Sequence, residues 1–187
     1  MNTTENLRFD NAEIVFKDKE INVWMSSRET GSYALCVTVY CWHLDWQVSS
    51  VAQICNALSQ EFSALSAVEH LTLEHEVHSL SSEEHNDVDR IEWRNLLRSF
   101  SNVKIIYVGD GLVEKLSCCL RLEDGELPLE LLPELQELTY VGSRDTRAGD
   151  ALVSFIDARQ NAGRPVTLAR HVPSPSPSPV SFVVAER

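Results

Sequence analysis

Four of the six histidines fall within Glu69–His85, EHLTLEHEVHSLSSEEH, among five acidic residues. Imidazoles and carboxylates at this density could ligate a metal ion, and the run nearly spells a zinc-hydrolase motif. That motif, H-E-x-x-H, works because residues four apart on a helix project from one face and both imidazoles reach one ion. Here the run is His75-Glu76-Val77-His78, one residue short. The register of VEHLTL places His70 in a strand and His75 at its end, on opposite faces if the strand is unbroken. His78 and His85 then belong to a polar loop. A metal-dependent hydrolase using His70, His75 and His78 is therefore the enzymatic alternative, and the geometry disfavours it.

Other catalytic patterns are missing from the sequence. There is no G-x-S-x-G elbow, no G-x-x-x-x-G-K-[ST] loop and no G-x-G-x-x-G turn. Asp145, Asp150 and Asp157 have the spacing of a helix's solvent side. Cys36, Cys41, Cys55, Cys118 and Cys119 are odd in number and lack a C-x-x-C pair, so free thiols are expected, with Cys119 on an apolar stripe. No catalytic residue, metal site or cofactor is predicted, and the chain is expected to be non-enzymatic.

The net charge of -12 argues against nucleic acid as a ligand. No run approaches the ~20 apolar residues of a membrane span, and MNTTENLRFDNAE lacks the parts of a signal peptide. These features predict a soluble chain in the cytoplasm or nucleus, without a membrane partner.

The elements that would carry any site follow from a recurring pattern: an apolar residue, two others, then apolar, any, apolar. It can be laid down as ALCVTV, VEHLTL, VKIIYV, LQELTY and a degenerate GRPVTL, with middle positions Val37, Leu71, Ile106, Leu138 and Val166. Between these strands, apolar residues three and four apart predict helices. The first carries Val51, Ile54, Cys55, Leu58 and Phe62 behind a capping box from Ser50 to Gln53. The second carries Trp93, Leu96, Leu97 and Phe100, capped by Asp89 with Glu92. The third carries Leu112, Leu116, Cys119 and Leu120 after Asp110, and the fourth Ala148, Leu152, Phe155 and Ile156, with Gly163 and Pro165 as its stop.

Strand–helix alternation at a near-constant repeat predicts an α/β solenoid: a curved, mostly parallel sheet with helices on one face. AEIVF and INVWM around KDKE predict an N-terminal β-hairpin that caps the first repeat. The folded domain is expected over residues 1–171, and the Pro/Ser-rich residues 172–187 as a disordered tail.

With Leu71 and Leu73 inward, period-two alternation turns His70, Thr72 and Glu74 to the open face, with Cys36, Thr38, Tyr40, Ile105, Tyr107, Glu137, Thr139, Val141, Thr167 and Ala169. Its central row is expected to be Thr38, Thr72, Tyr107, Thr139 and Thr167. Aromatics beside exposed aliphatics are common interface anchors, so Tyr40, His70, Thr72, Ile105, Tyr107 and Thr139 are the predicted partner-binding residues for a protein ligand.

The segments HLDWQVSS, IEWRNLLRSFSNV and LPLELLPELQELTY, within about residues 10 to 171, together resemble the leucine-rich-repeat-like region of fungal F-box-like proteins. The resemblance implies a leucine-rich-repeat-like fold and a ubiquitin-ligase adaptor whose repeats hold a protein substrate. It implies a Skp1-type partner only where an F-box is supplied upstream, since Met1 to Asn11 is too short for one and Leu127-Pro128-Leu129-Glu130 lies inside the repeats. A stand-alone binding or competitor module is the other non-enzymatic expectation.

Overall fold

The computed structural model describes residues 8–27, 33–62, 64–76, 87–122, 126–127, 129–141 and 148–171. The predicted tail at 172–187 and the histidine loop from Val77, with His78 and His85, lie outside the described residues. So does Asp145, whereas Asp157 is exposed as expected.

Among the described residues seven strands form one sheet, β1 (Asn11–Phe16), β2 (Glu20–Ser26), β3 (Tyr33–Tyr40), β4 (His70–His75), β5 (Ile105–Val108), β6 (Glu137–Val141) and β7 (Thr167–His171). Their order is β3-β2-β1-β4-β5-β6-β7. The pairs β1–β2 and β2–β3 are antiparallel, and the other four are parallel. Four helices, α1 (Leu44–Phe62), α2 (Asp87–Arg98), α3 (Val113–Leu120) and α4 (Ala148–Asn161), complete an α/β fold.

The repeat pattern reads the parallel half correctly. Leu71 pairs with Ile106 and Ile106 with Leu138, so three predicted middle positions stand side by side. The fifth copy is shifted by two residues, because Leu138 pairs with Leu168 rather than Val166.

The first copy is misplaced. Val37 pairs with Val23 of β2, and the neighbour of Leu71 on that side is Ala12 of β1. The predicted hairpin is present, with Lys17 N donating to Glu20 O at 2.9 Å, but it does not sit beyond ALCVTV as a cap. It is inserted between β3 and β4. Alternation cannot foresee this, because β1 and β3 carry equally apolar inward positions and only long-range packing chooses between them.

Helix α1 begins at Leu44, so the predicted capping box at Ser50 lies within the helix. The reason is Gln47, a buried amide whose Nε2 donates to the carbonyls of Lys17 and Cys41, both at 2.8 Å. That bond ties the first turn of α1 to the hairpin and extends the helix backwards. Helix α4 stops as predicted. Gly163 has φ +76°, Arg164 N donates to Arg159 O at 2.9 Å and Gly163 N to Gln160 O at 3.0 Å, closing a left-handed glycine cap.

One core joins the sheet to the helices. Ala12, Ile14, Phe16, Leu71, Leu73, Ile106, Val108, Leu138 and Tyr140 face Val51, Cys55, Trp93, Leu97, Leu116, Leu152 and Phe155, all buried. The connection from α3 to β6 is irregular, with Leu132 in the left-handed region at φ 50°. It is held by Arg159, a fully buried side chain on α4 whose guanidinium donates to the carbonyls of Leu131, Pro133 and Leu135. Burial, then the Arg164 charge, pulls the Arg159 pKa down, partly offset by Glu134.

A ladder of arginines on α2 fixes the preceding stretch. Arg90 and Arg94 share the Glu126 carboxylate at 3.3 and 2.9 Å, and Arg98 pairs with Glu130. Spaced four apart, these side chains lie along one line of the helix beside its apolar stripe.

Candidate functional site

Because side chains alternate across a strand, one face of the sheet enters the core and the other faces away from it. The register fixes which residues meet on the outward face. One row runs Trp24, Glu13, Thr72, Tyr107, Thr139 and Ala169, and the next runs Asn11, His70, Ile105, Glu137 and Thr167.

Five of the six predicted partner-binding residues thus form one patch. Tyr107 lies between Thr72 and Thr139, and Ile105 between His70 and Glu137. All are half-buried. Thr139 Oγ1 donates to the Glu137 carboxylate at 3.0 Å, which orients both groups on the surface.

Tyr40 does not belong to this patch. It lies on β3 opposite Glu20, and β2 and β1 separate it from β4. The expected central row is corrected likewise: Glu13 and Ala169 stand where Thr38 and Thr167 were predicted, since Thr38 pairs with Asn22 and Thr167 with Glu137. Thr38 Oγ1 instead donates to Asn22 Oδ1 at 2.7 Å within the antiparallel half.

The patch also carries the carboxylates of Glu13, Glu74 and Glu137. Desolvation raises the Glu74 pKa, and the neighbouring carboxylates Glu13 and Glu76 raise it further. Tyr107 is raised by desolvation and then by Glu74. Glu13 and Glu74 therefore share one repulsive field beside the Tyr107 ring, and a cation placed there would relieve it. Glu13 was legible as an outward position of β1. Its adjacency to Thr72 was not, because that contact depends on β1 pairing with β4.

His70 and His75 project to opposite faces, as the unbroken strand requires. His75 sits on the side of Gly111, where an added Cβ would lie 2.7 Å from its Nδ1. Burial lowers its pKa, Lys115 lowers it further and Asp18 opposes both. The two imidazoles thus cannot converge on one ion. No group of three or more metal-ligating side chains occurs among the described residues.

A concavity of about 580 Å³ lies between α1 and α2, lined by Gln53, Asn56, Ser59, Glu92, Asn95 and Arg98 among others. Its polar lining is made of amides, serine hydroxyls, the Glu92 carboxylate and Arg98, which is ion-paired with Glu130. Cys119 is buried on the apolar stripe and Cys118 partly exposed, so the vicinal cysteines divide as expected. Burial pushes the thiols of Cys55 and Cys119 up to about 12, which keeps both protonated and unreactive. No described helix is long and apolar enough to cross a membrane. No known family's sequence model matches the chain, and no curated protein is similar to it.

Proposed function

We propose that the chain is a non-enzymatic protein-interaction module that receives a protein partner on the outward sheet face of β1, β4, β5 and β6. The observation that carries this reading is the juxtaposition of Tyr107, Ile105 and His70 with Glu13, Glu74 and Glu137 on one continuous face. An aromatic and an aliphatic anchor surrounded by carboxylates suit a partner segment that brings apolar and basic side chains together. The leucine-rich-repeat-like solenoid and the adaptor role implied by the F-box-like resemblance belong to the same proposal, and the parallel ladder Leu71–Ile106–Leu138–Leu168 supports the repeat architecture. In that role the face presents a substrate, and a Skp1-type protein joins only through an F-box supplied elsewhere.

The test compares wild-type chain with His70→Ala/Tyr107→Ala in affinity capture from cell extract. Partners held by the wild type are expected to be lost by the double variant, with a thermal midpoint within about 2 °C of wild type, as for surface changes. Undiminished capture would remove the outward face from the reading. Co-purification of Skp1 with this chain alone would show that ligase recruitment needs no separate F-box.

A further inference from the structure

The two sides of β3 are unequal. One side pairs with β2, and the other ends the sheet among the described residues. Cys41 N donates to Lys19 O at 2.9 Å, and the register pairs Tyr40 with Glu20. In an antiparallel ladder, residues alternate between bonding to one neighbour and to the other. Leu35, Val37 and Val39 therefore bond to β2, whereas the backbone groups of Cys36, Thr38 and Tyr40 point outward. The irregularity between Met25 and Ser26 affects only the start of β3, so Leu35–Tyr40 is a regular edge.

Its composition lacks the devices that keep edges single. YALCVTVY has no charge and no proline, and its β-branched residues favour pairing. Leu35, Val37 and Val39 pack against the core yet are only partly buried, unlike Leu71 and Leu73 at equivalent positions of an interior strand. Where β3 hands over to α1, three aromatics are largely exposed: Tyr40 at 79%, Trp42 at 70% and Trp46 at 64%. Lys19 Nζ lies 4.5 Å over the Trp42 ring, and His43 meets Trp46 edge-on at 5.1 Å.

We infer that β3 is a self-association edge, on which a second copy of this chain adds its own β3 antiparallel to form one continuous sheet. A two-fold axis makes such contacts self-complementary and closes the assembly at two. Opposed residues must share a face, so Thr38 faces Cys36, Thr38 or Tyr40 of the other copy, and the half-buried row of Leu35, Val37 and Val39 is continued by the same row. The area suffices. Aromatic side chains bury about 150–250 Å² each, so the exposed parts of these three contribute roughly 800 Å² over both copies. Reaching the ~1,200 Å² of a stable interface needs about 25 Å² more per β3 residue, within what a strand at ~4.8 Å covers.

Sedimentation of the full chain across a concentration series tests this. The expected result is a monomer–dimer equilibrium at roughly micromolar concentration, ending at twice the 21.1 kDa chain mass. Cys36→Pro removes an outward donor while sparing the bonds to β2, and Cys36→Lys/Thr38→Lys sets like charges against each other across the axis. Both are expected to be monomeric with the far-UV circular dichroism of the wild type, whereas Thr167→Lys at the other edge still dimerises. A wild type that stays monomeric at about 100 µM, or that grows past two copies, overturns the inference. So does a folded Cys36→Lys/Thr38→Lys that still dimerises. Should that variant lose the wild-type spectrum, Cys36→Pro decides by the same criterion, and wild-type Cys36 whose thiol reactivity does not fall with rising concentration also overturns it.

Discussion

At one end of the sheet β7 reads TLARH, preceded by Arg164-Pro165 and carrying exposed Arg170 and His171. At the other end β3 reads YALCVTVY. Charge and nearby proline make a strand costly to extend, because an incoming chain must desolvate the charge and loses a donor at the proline. The ends also differ in how they are held. Near β7 a polar group does the anchoring: buried Arg159 gathers three carbonyls ahead of β6. Near β3 the anchors are hairpin hydrogen bonds, one buried glutamine and an apolar row that remains half-open. A sheet can thus finish one edge with charge and leave the other suited to pairing.

The comparison breaks most visibly at Arg159. Arg159→Ala leaves three carbonyls with fewer donors and a void under the irregular stretch around Leu132, and is expected to cost about 3 kcal/mol. Urea unfolding would show it as a lower midpoint, and an unchanged midpoint would mean that the guanidinium does not hold that end. Gln47→Leu tests the other end. Losing the bonds to Lys17 and Cys41 is expected to cost about 1–2 kcal/mol by the same measurement.

Between the ends, Gly111→Ala drives a Cβ against the His75 ring, where Cβ and Cγ also lie at 3.3 Å. A loss of about 1–2 kcal/mol is expected, and His75→Ala should restore part of it in a double-mutant cycle. Because the folded-state pKa of His75 is lowered, the unfolded chain takes up its proton first as pH falls. Wild-type stability from this group is complete above the ordinary value of 6.5 and declines below it, down to the folded-state pKa. His75→Gln should flatten that part of a stability–pH profile.

The smallest effect is expected on the outward face. Glu74 has a raised pKa, so its penalty is absent at low pH and develops as pH rises through the folded-state value. Glu74→Gln should raise the thermal midpoint at pH 7 by about 1–2 °C, with the gain vanishing below about pH 4. A gain that persists at low pH would assign the effect to something other than charge.

Much of this was legible in the residues. The strands around Leu71, Ile106 and Leu138 follow from period-two alternation, the α2 and α3 stripes from apolar residues three and four apart, and the end of α4 from Gly163. Each is set by neighbours a few positions away. Thr72, Tyr107 and Thr139 fell into one row because parallel strands with equal repeats keep their register.

What the sequence by itself determined is therefore the identity of the elements and the inward or outward sense of each side chain, because dihedral preference and periodicity are local. Tertiary structure alone decided that β1 rather than β3 lies against β4, which moved Tyr40 to an edge, brought Glu13 beside Glu74 and Tyr107, and left YALCVTVY at the border. Apolar strands of similar length present interchangeable backbone edges. The choice among them rests on summed long-range packing: Gln47 reaching the hairpin, Phe16 against Trp93 at 5.4 Å, and Arg159 reaching back to the carbonyls before β6.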